Sequence, residues 1–164
     1  MRHAILAAAV AALATPAAAN DDYRELRAML EAFVAPDADQ EAAMRQFEPQ
    51  EADYRAAFAD DVEERAIENY GAIWQDSLGF AVKPGQTDIR IYVATVDELR
   101  AGTGNAWDFA GGYKKAAAMM EPGHTIYAVK FVEPGEPRGM ALAGFQKVND
   151  RWVVFPKPWR FLGE

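Results

Sequence analysis

The chain has 164 residues, 51% hydrophobic and 26% charged, with a formal net charge of -8 and no cysteine. That balance is a globular one, neither disordered nor fibrous. The absence of cysteine excludes disulfides, thiol nucleophiles, Cys-based zinc sites and thiolate-ligated iron–sulfur clusters.

The first twenty residues have the pattern of an export signal. Met1, Arg2 and His3 form a short basic head, residues 4–13 are an unbroken apolar run, and Ala17, Ala18 and Ala19 place small side chains where signal peptidase cuts. An apolar run of about ten residues is too short for the roughly twenty that a membrane-spanning helix needs. Residues 1–19 are therefore expected to be a cleaved signal peptide, leaving residues 20–164 as one domain that is exported, periplasmic or secreted, and does not span the membrane. No Cys stands at the cleavage point for lipid attachment, and the twin-arginine pattern is missing, so general secretion is expected.

Charge is unevenly spread. Residues 20–80 carry 16 acidic and 5 basic side chains, residues 81–164 carry 9 and 11. The acidic half is expected to be the solvated faces of helices, and a chain without a basic stripe is not expected to bind nucleic acid.

In chain order, Asp22 with Glu25 reads as a capping box opening a helix in which Tyr23, Leu26, Met29, Leu30 and Phe33 recur at three- and four-residue spacing, ended near Ala35 by Pro36. A short helix over 40–47 follows. Pro49 suits the first turn of another helix, carrying Tyr54 and Phe58 on one face. Asp60 or Asp61 is expected to cap the next, whose apolar stripe is Val62, Ala66, Tyr70, Ile73 and Trp74.

After Pro84 and Gly85 the period changes. Ile89, Ile91 and Val93 alternate with Arg90, Tyr92 and Ala94, as in a strand. Thr95 with Glu98 is a second capping box for a turn or two of helix, followed by a loop over 102–105, an aromatic and glycine segment over 107–112, and a short helix over 113–120 stopped by Pro122 and Gly123. Three strands then follow as a meander: 124–132, 139–148 after a Pro- and Gly-containing turn, and 151–155 after a two-residue Asn149-Asp150 turn. Pro156 and Pro158 stop the ladder, and the tail is expected along an edge. Helices followed by strands predict an α+β fold, with N-terminal helices packed on a curved antiparallel sheet of about four strands.

That order, ending in the hairpin Val148-Asn149-Asp150-Arg151-Trp152-Val153-Val154, resembles the nuclear-transport-factor-2-like or cystatin-like group of small α+β domains. The group includes ketosteroid isomerases, dehydratases and many non-catalytic ligand-binding or interaction domains; no catalytic motif of those enzymes lies on this chain. The segments Asp108-Phe109-Ala110-Gly111-Gly112-Tyr113 and Phe155-Pro156-Lys157-Pro158-Trp159-Arg160 resemble signatures of an exported bacterial family, and no activity is attached to them.

Chemistry is constrained by scarcity. Beyond the signal there is one histidine, His124, and one serine, Ser77, which is not in a glycine-flanked elbow. One His and no Cys exclude the usual zinc sets, and Asp37, Asp39 and Glu41 lack the glycine and terminal glutamate of a calcium loop, so neither metal nor cofactor is expected. Gly102-Thr103-Gly104 lacks the lysine of a phosphate-binding loop. Gly111 and Gly112 beside Trp107, Asp108, Phe109 and Tyr113 either let the backbone approach a ligand or turn a corner while the aromatics fill the core. Tyr92 and Tyr127 lie in strands, either as cavity-facing hydroxyls or as cross-strand packing. Lys157, Trp159 and Arg160, with Lys147 and Arg151, make a basic and aromatic cluster able to meet an anionic partner or the acidic helices of the same chain.

The candidate ligand-binding residues are thus Trp107, Asp108, Tyr113, Tyr92 and Tyr127. The expected function is a non-catalytic exported domain binding a small apolar ligand or an envelope protein. The alternative is an isomerase- or dehydratase-type enzyme working by proton transfer through a buried Asp108 and a tyrosine.

Overall fold

The structure, a computed structural model, describes residues 16–76 and 78–163. Residues 1–15 of the expected signal peptide (1–19) and Ser77 lie outside the described residues. The order is α1 (Pro16–Leu30), α2 (Gln40–Arg45), α3 (Glu51–Ala57), α4 (Glu63–Gln75), β1 (Asp88–Thr95), α5 (Val96–Ala101), α6 (Gly112–Ala117), β2 (Thr125–Val132), β3 (Gly139–Val148), β4 (Arg151–Val154) and α7 (Pro158–Phe161), with short 3-10 turns at Glu31–Phe33 and Gly104–Asp108. The four strands form one open antiparallel sheet in the order β1-β2-β3-β4, with helices preceding it, an α+β fold.

Register divides the sheet into two faces, because directly paired residues point to the same side. Ile89 opposite Phe131, Val93 opposite Tyr127, and Lys147 opposite Trp152 share the first face. The N-terminal helical layer covers it. Phe33 packs on Phe131 at 5.8 Å between ring centroids, Phe47 packs on Phe145 at 5.0 Å, and Arg27 of α1 donates to the Ile89 carbonyl at 2.9 Å. Tyr92 opposite Ala128, Ala128 opposite Ala143, and Lys130 opposite both Arg90 and Ala141 share the second face.

Gly144 sits at a bulge where the β2–β3 register shifts. Its φ of +107° and the 2.2 Å that would separate an added Cβ from the Phe155 carbonyl oxygen both demand glycine. The bulge lets Phe155 donate its amide to the Gly144 carbonyl at 3.0 Å and insert its ring among Tyr54, Phe58 and Tyr70.

Several local expectations hold. Thr95 and Glu98 form their capping box, and Asn149 and Asp150 both adopt the positive φ of the predicted two-residue turn. Others are corrected. Asp22 and Glu25 are interior to α1 and cap nothing; one turn apart, both carboxylates reach the Lys147 ammonium, at 2.9 and 2.7 Å. Pro49 precedes α3 instead of opening it: the Gln50 backbone amide donates to Asp53 Oδ2 at 2.8 Å. Neither Asp60 nor Asp61 caps α4, whose first amides bond the Ala59 carbonyl. The tail packs on helices, not along an edge: Trp159 meets Tyr113, and Asn69 donates to the Phe161 carbonyl. His124 is half-buried, with Nε2 2.9 Å from the Ala56 carbonyl oxygen.

Candidate functional site

Small side chains on the second face leave the candidate site open. Ala128, Ala141 and Ala143 from β2 and β3 make a floor one methyl deep, where the first face carries Phe131 and Phe145. Above it, the 3-10 turn Gly104–Asp108 and α6 stand on one side and the start of α7 on another. The result is an open cleft of about 470 Å³ with Tyr92, Trp107, Phe109, Trp159, Lys130 and Lys157 in its walls.

Four of the five sequence-predicted residues, Tyr92, Trp107, Asp108 and Tyr113, line this cleft. Tyr127 does not: it is on the opposite sheet face, buried, with its ring 5.1 Å from Trp152 and its hydroxyl pKa pushed up to about 12 by burial. A period of two places Tyr127 and Tyr92 in strands without saying which face each takes.

Trp107 is 86% exposed at the cleft mouth, far more than any other large apolar side chain described. Tyr113 is the reverse, with its ring in the wall and its hydroxyl buried near Gly144 and the Lys157 backbone, without a hydrogen bond of ordinary geometry. Burial drives its pKa well up, so it is a poor proton carrier at neutral pH.

Asp108 is exposed, which corrects the expectation of a buried carboxylate there. The buried aspartate is Asp53, and it is fully engaged: Arg151 at 2.6 Å, Asn149 at 3.1 Å and the Gln50 amide at 2.8 Å. Proton transfer by a buried Asp108 and a tyrosine is therefore not assembled in this cleft.

The two glycines also resolve. An added Cβ on Gly112 would lie 2.3 Å from Trp159 Cδ2, so this glycine makes room for the indole, whereas Gly111 faces open space. The basic cluster divides too. Lys147 and Arg151 pair with Asp22, Glu25 and Asp53 of the acidic half, whereas Lys157 and Arg160 have no carboxylate within 4 Å among the described residues.

Sequence reasoning missed Lys130, Trp159's direct place in the wall, and the alanine floor. The alternation of Ala128, Lys130, Ala141 and Ala143 was a readable signal of a second face too small to pack. Among the described residues, no three His, Asp or Glu side chains converge as a metal site requires. No helix among them is long and apolar enough to cross a membrane.

Fold and site together define an α+β domain with an open, aromatic-walled cleft on one face of its sheet. The chain matches no family model, curated protein or solved structure against which it was compared.

Proposed function

We propose that this is an exported, non-catalytic domain that binds a small, mainly apolar ligand in the cleft over Ala128, Ala141 and Ala143. One observation carries the reading: a central strand pair exposes a floor of alanines inside aromatic walls, at a volume typical of small-molecule sites. A sheet face meant only for packing would be filled by branched or aromatic side chains, as the first face is. The helices-then-meander order supports kinship in form with the ligand-binding members of the nuclear-transport-factor-2-like group, and the apolar run over 4–13 supports export.

The test uses the neutral fluorescent probe N-phenylnaphthylamine. The wild-type protein is expected to bind it with a dissociation constant on the order of 10 micromolar. Ala141→Phe, on an exposed floor position, is expected to fill the cleft and abolish binding while leaving the unfolding midpoint in place. Absence of binding, or binding indifferent to Ala141→Phe, overturns the proposal.

A further inference from the structure

We infer that the cleft selects organic anions: a flat apolar body carrying a single carboxylate or sulfonate-like group, neutralised by Lys130 and Lys157. This inference rests on the cleft being a ligand site and adds the chemistry of its occupant.

Lys130 carries most of the argument. It lies on a central strand, half-buried, directly opposite Arg90. Like charges facing each other across a strand pair destabilise it unless something intervenes. Arg90 has Asp88 at 3.4 Å, but Lys130 has no carboxylate within 4 Å among the described residues; its ammonium is 5.7 Å from the Tyr92 ring centroid. The other half-buried cations are all answered by an oxygen. Arg27 donates to the Ile89 carbonyl, Arg90 meets Asp88, Lys147 meets Asp22 and Glu25, and Arg151 meets Asp53. In a chain this acidic, a half-buried lysine facing an open cleft without a carboxylate leaves room for an anion from outside.

Lys157 adds a second cationic residue to the cleft lining from an unusual backbone. Its φ of 48° and ψ of 55° put it in the left-handed region, where the other non-glycine residues are Asp37, Asn149 and Asp150, types that tolerate it. Buried prolines on both sides, Pro156 and Pro158, hold it there. The carboxylate that lines the cleft is the exposed Asp108, so the two lysines leave it with a net positive charge. Tyr92, Phe109 and Trp159 above a level alanine floor suit a planar body.

The experiment compares two probes with nearly the same apolar body, anilinonaphthalene sulfonate and neutral N-phenylnaphthylamine. Wild type is expected to bind the sulfonate about tenfold more tightly at low salt, with the preference shrinking as salt rises. Lys130→Gln and Lys157→Gln are each expected to remove most of that preference, weakening the sulfonate several-fold more than the neutral probe, and Lys130→Arg to keep it. Naphthoate is expected to displace the sulfonate where naphthamide does not; displacement instead by a long-chain fatty carboxylate alone overturns the planar body. Equal affinity for both probes in wild type, or equal weakening of both by the lysine variants, overturns the anion inference while leaving the cleft reading intact. Failure of the neutral probe to bind, or its indifference to Ala141→Phe, overturns the cleft reading itself. Lys157 is exposed, so Lys157→Gln decides the matter even where Lys130→Gln fails to fold.

Discussion

Replacing Gly112 by alanine sets two effects of opposite sign against each other at one position. Gly112 is the first residue of α6 and has no positive φ, so helix propensity alone favours alanine, by less than the roughly 1 kcal/mol of a helix interior. The methyl, however, would lie 2.3, 2.4 and 2.7 Å from Trp159 Cδ2, Cε2 and Cγ. Ordinary carbon contacts begin near ~3.5 Å, so the indole must retreat by about 1 Å. Trp159 already packs edge-on against Tyr113 at 4.8 Å, and overfilling of this kind costs about 1–3 kcal/mol. Sterics win, and Gly112→Ala is expected to destabilise by about 1 kcal/mol net, lowering the melting temperature by about 3 °C. Urea unfolding followed by far-ultraviolet circular dichroism measures this directly. With Trp159→Leu as background the clash disappears, and the same glycine change should be neutral or stabilising. A stabilised Gly112→Ala in the wild-type background, or an equal loss in both backgrounds, refutes the account of this glycine as room for the indole.

Three further outcomes follow from the geometry. Asp53→Ala breaks a buried carboxylate's bonds to Arg151, Asn149 and the Gln50 amide and is expected to cost about 3 kcal/mol by urea unfolding, with Arg151→Met adding little on top. At Lys157, glycine is expected to be more stable than alanine by about 1 kcal/mol, because the φ of 48° penalises any Cβ, while both lose the sulfonate preference. The hydrogen bond from Lys147 holds the Glu25 carboxyl below the usual carboxylate range. Its stabilisation is therefore present above the unfolded carboxyl's pKa of about 4.3 and fades as pH falls through the lower folded value. Glu25 is half exposed, so solvent screening keeps the effect under about 1 kcal/mol, and Glu25→Gln should flatten the stability profile on the acid side of that value.

Strand periodicity, capping chemistry and turn residues made the meander legible, because each is set by neighbours in sequence. Ile89, Ile91 and Val93 announced β1, and Thr95 with Glu98 announced α5, for that reason. Asp22 and Glu25 misled because a three-residue acidic spacing also serves a long-range lysine, and Lys147 is 122 residues from Glu25. The site was half legible. Trp107, Asp108 and Tyr113 were found because aromatics beside paired glycines attract notice, whereas the cleft's floor is made of alanines, which signal nothing singly. The strand phase that puts Tyr92 in the cleft and Tyr127 beneath the sheet depends on which side the helices choose, a tertiary decision.

The position of Phe155 bears on when the fold can close. Its ring is the common neighbour of Tyr54, Phe58 and Tyr70, and α7, just after it, supplies Trp159 to the cleft wall. The helices α3 and α4 cannot complete their packing until residue 155, about a hundred residues after Tyr54, has been made. Contacts of such long sequence separation also make folding slow. In a nascent chain α3 and α4 therefore stay without Phe155 until β4 has been made, and the cleft gains its Trp159 wall only when α7 follows.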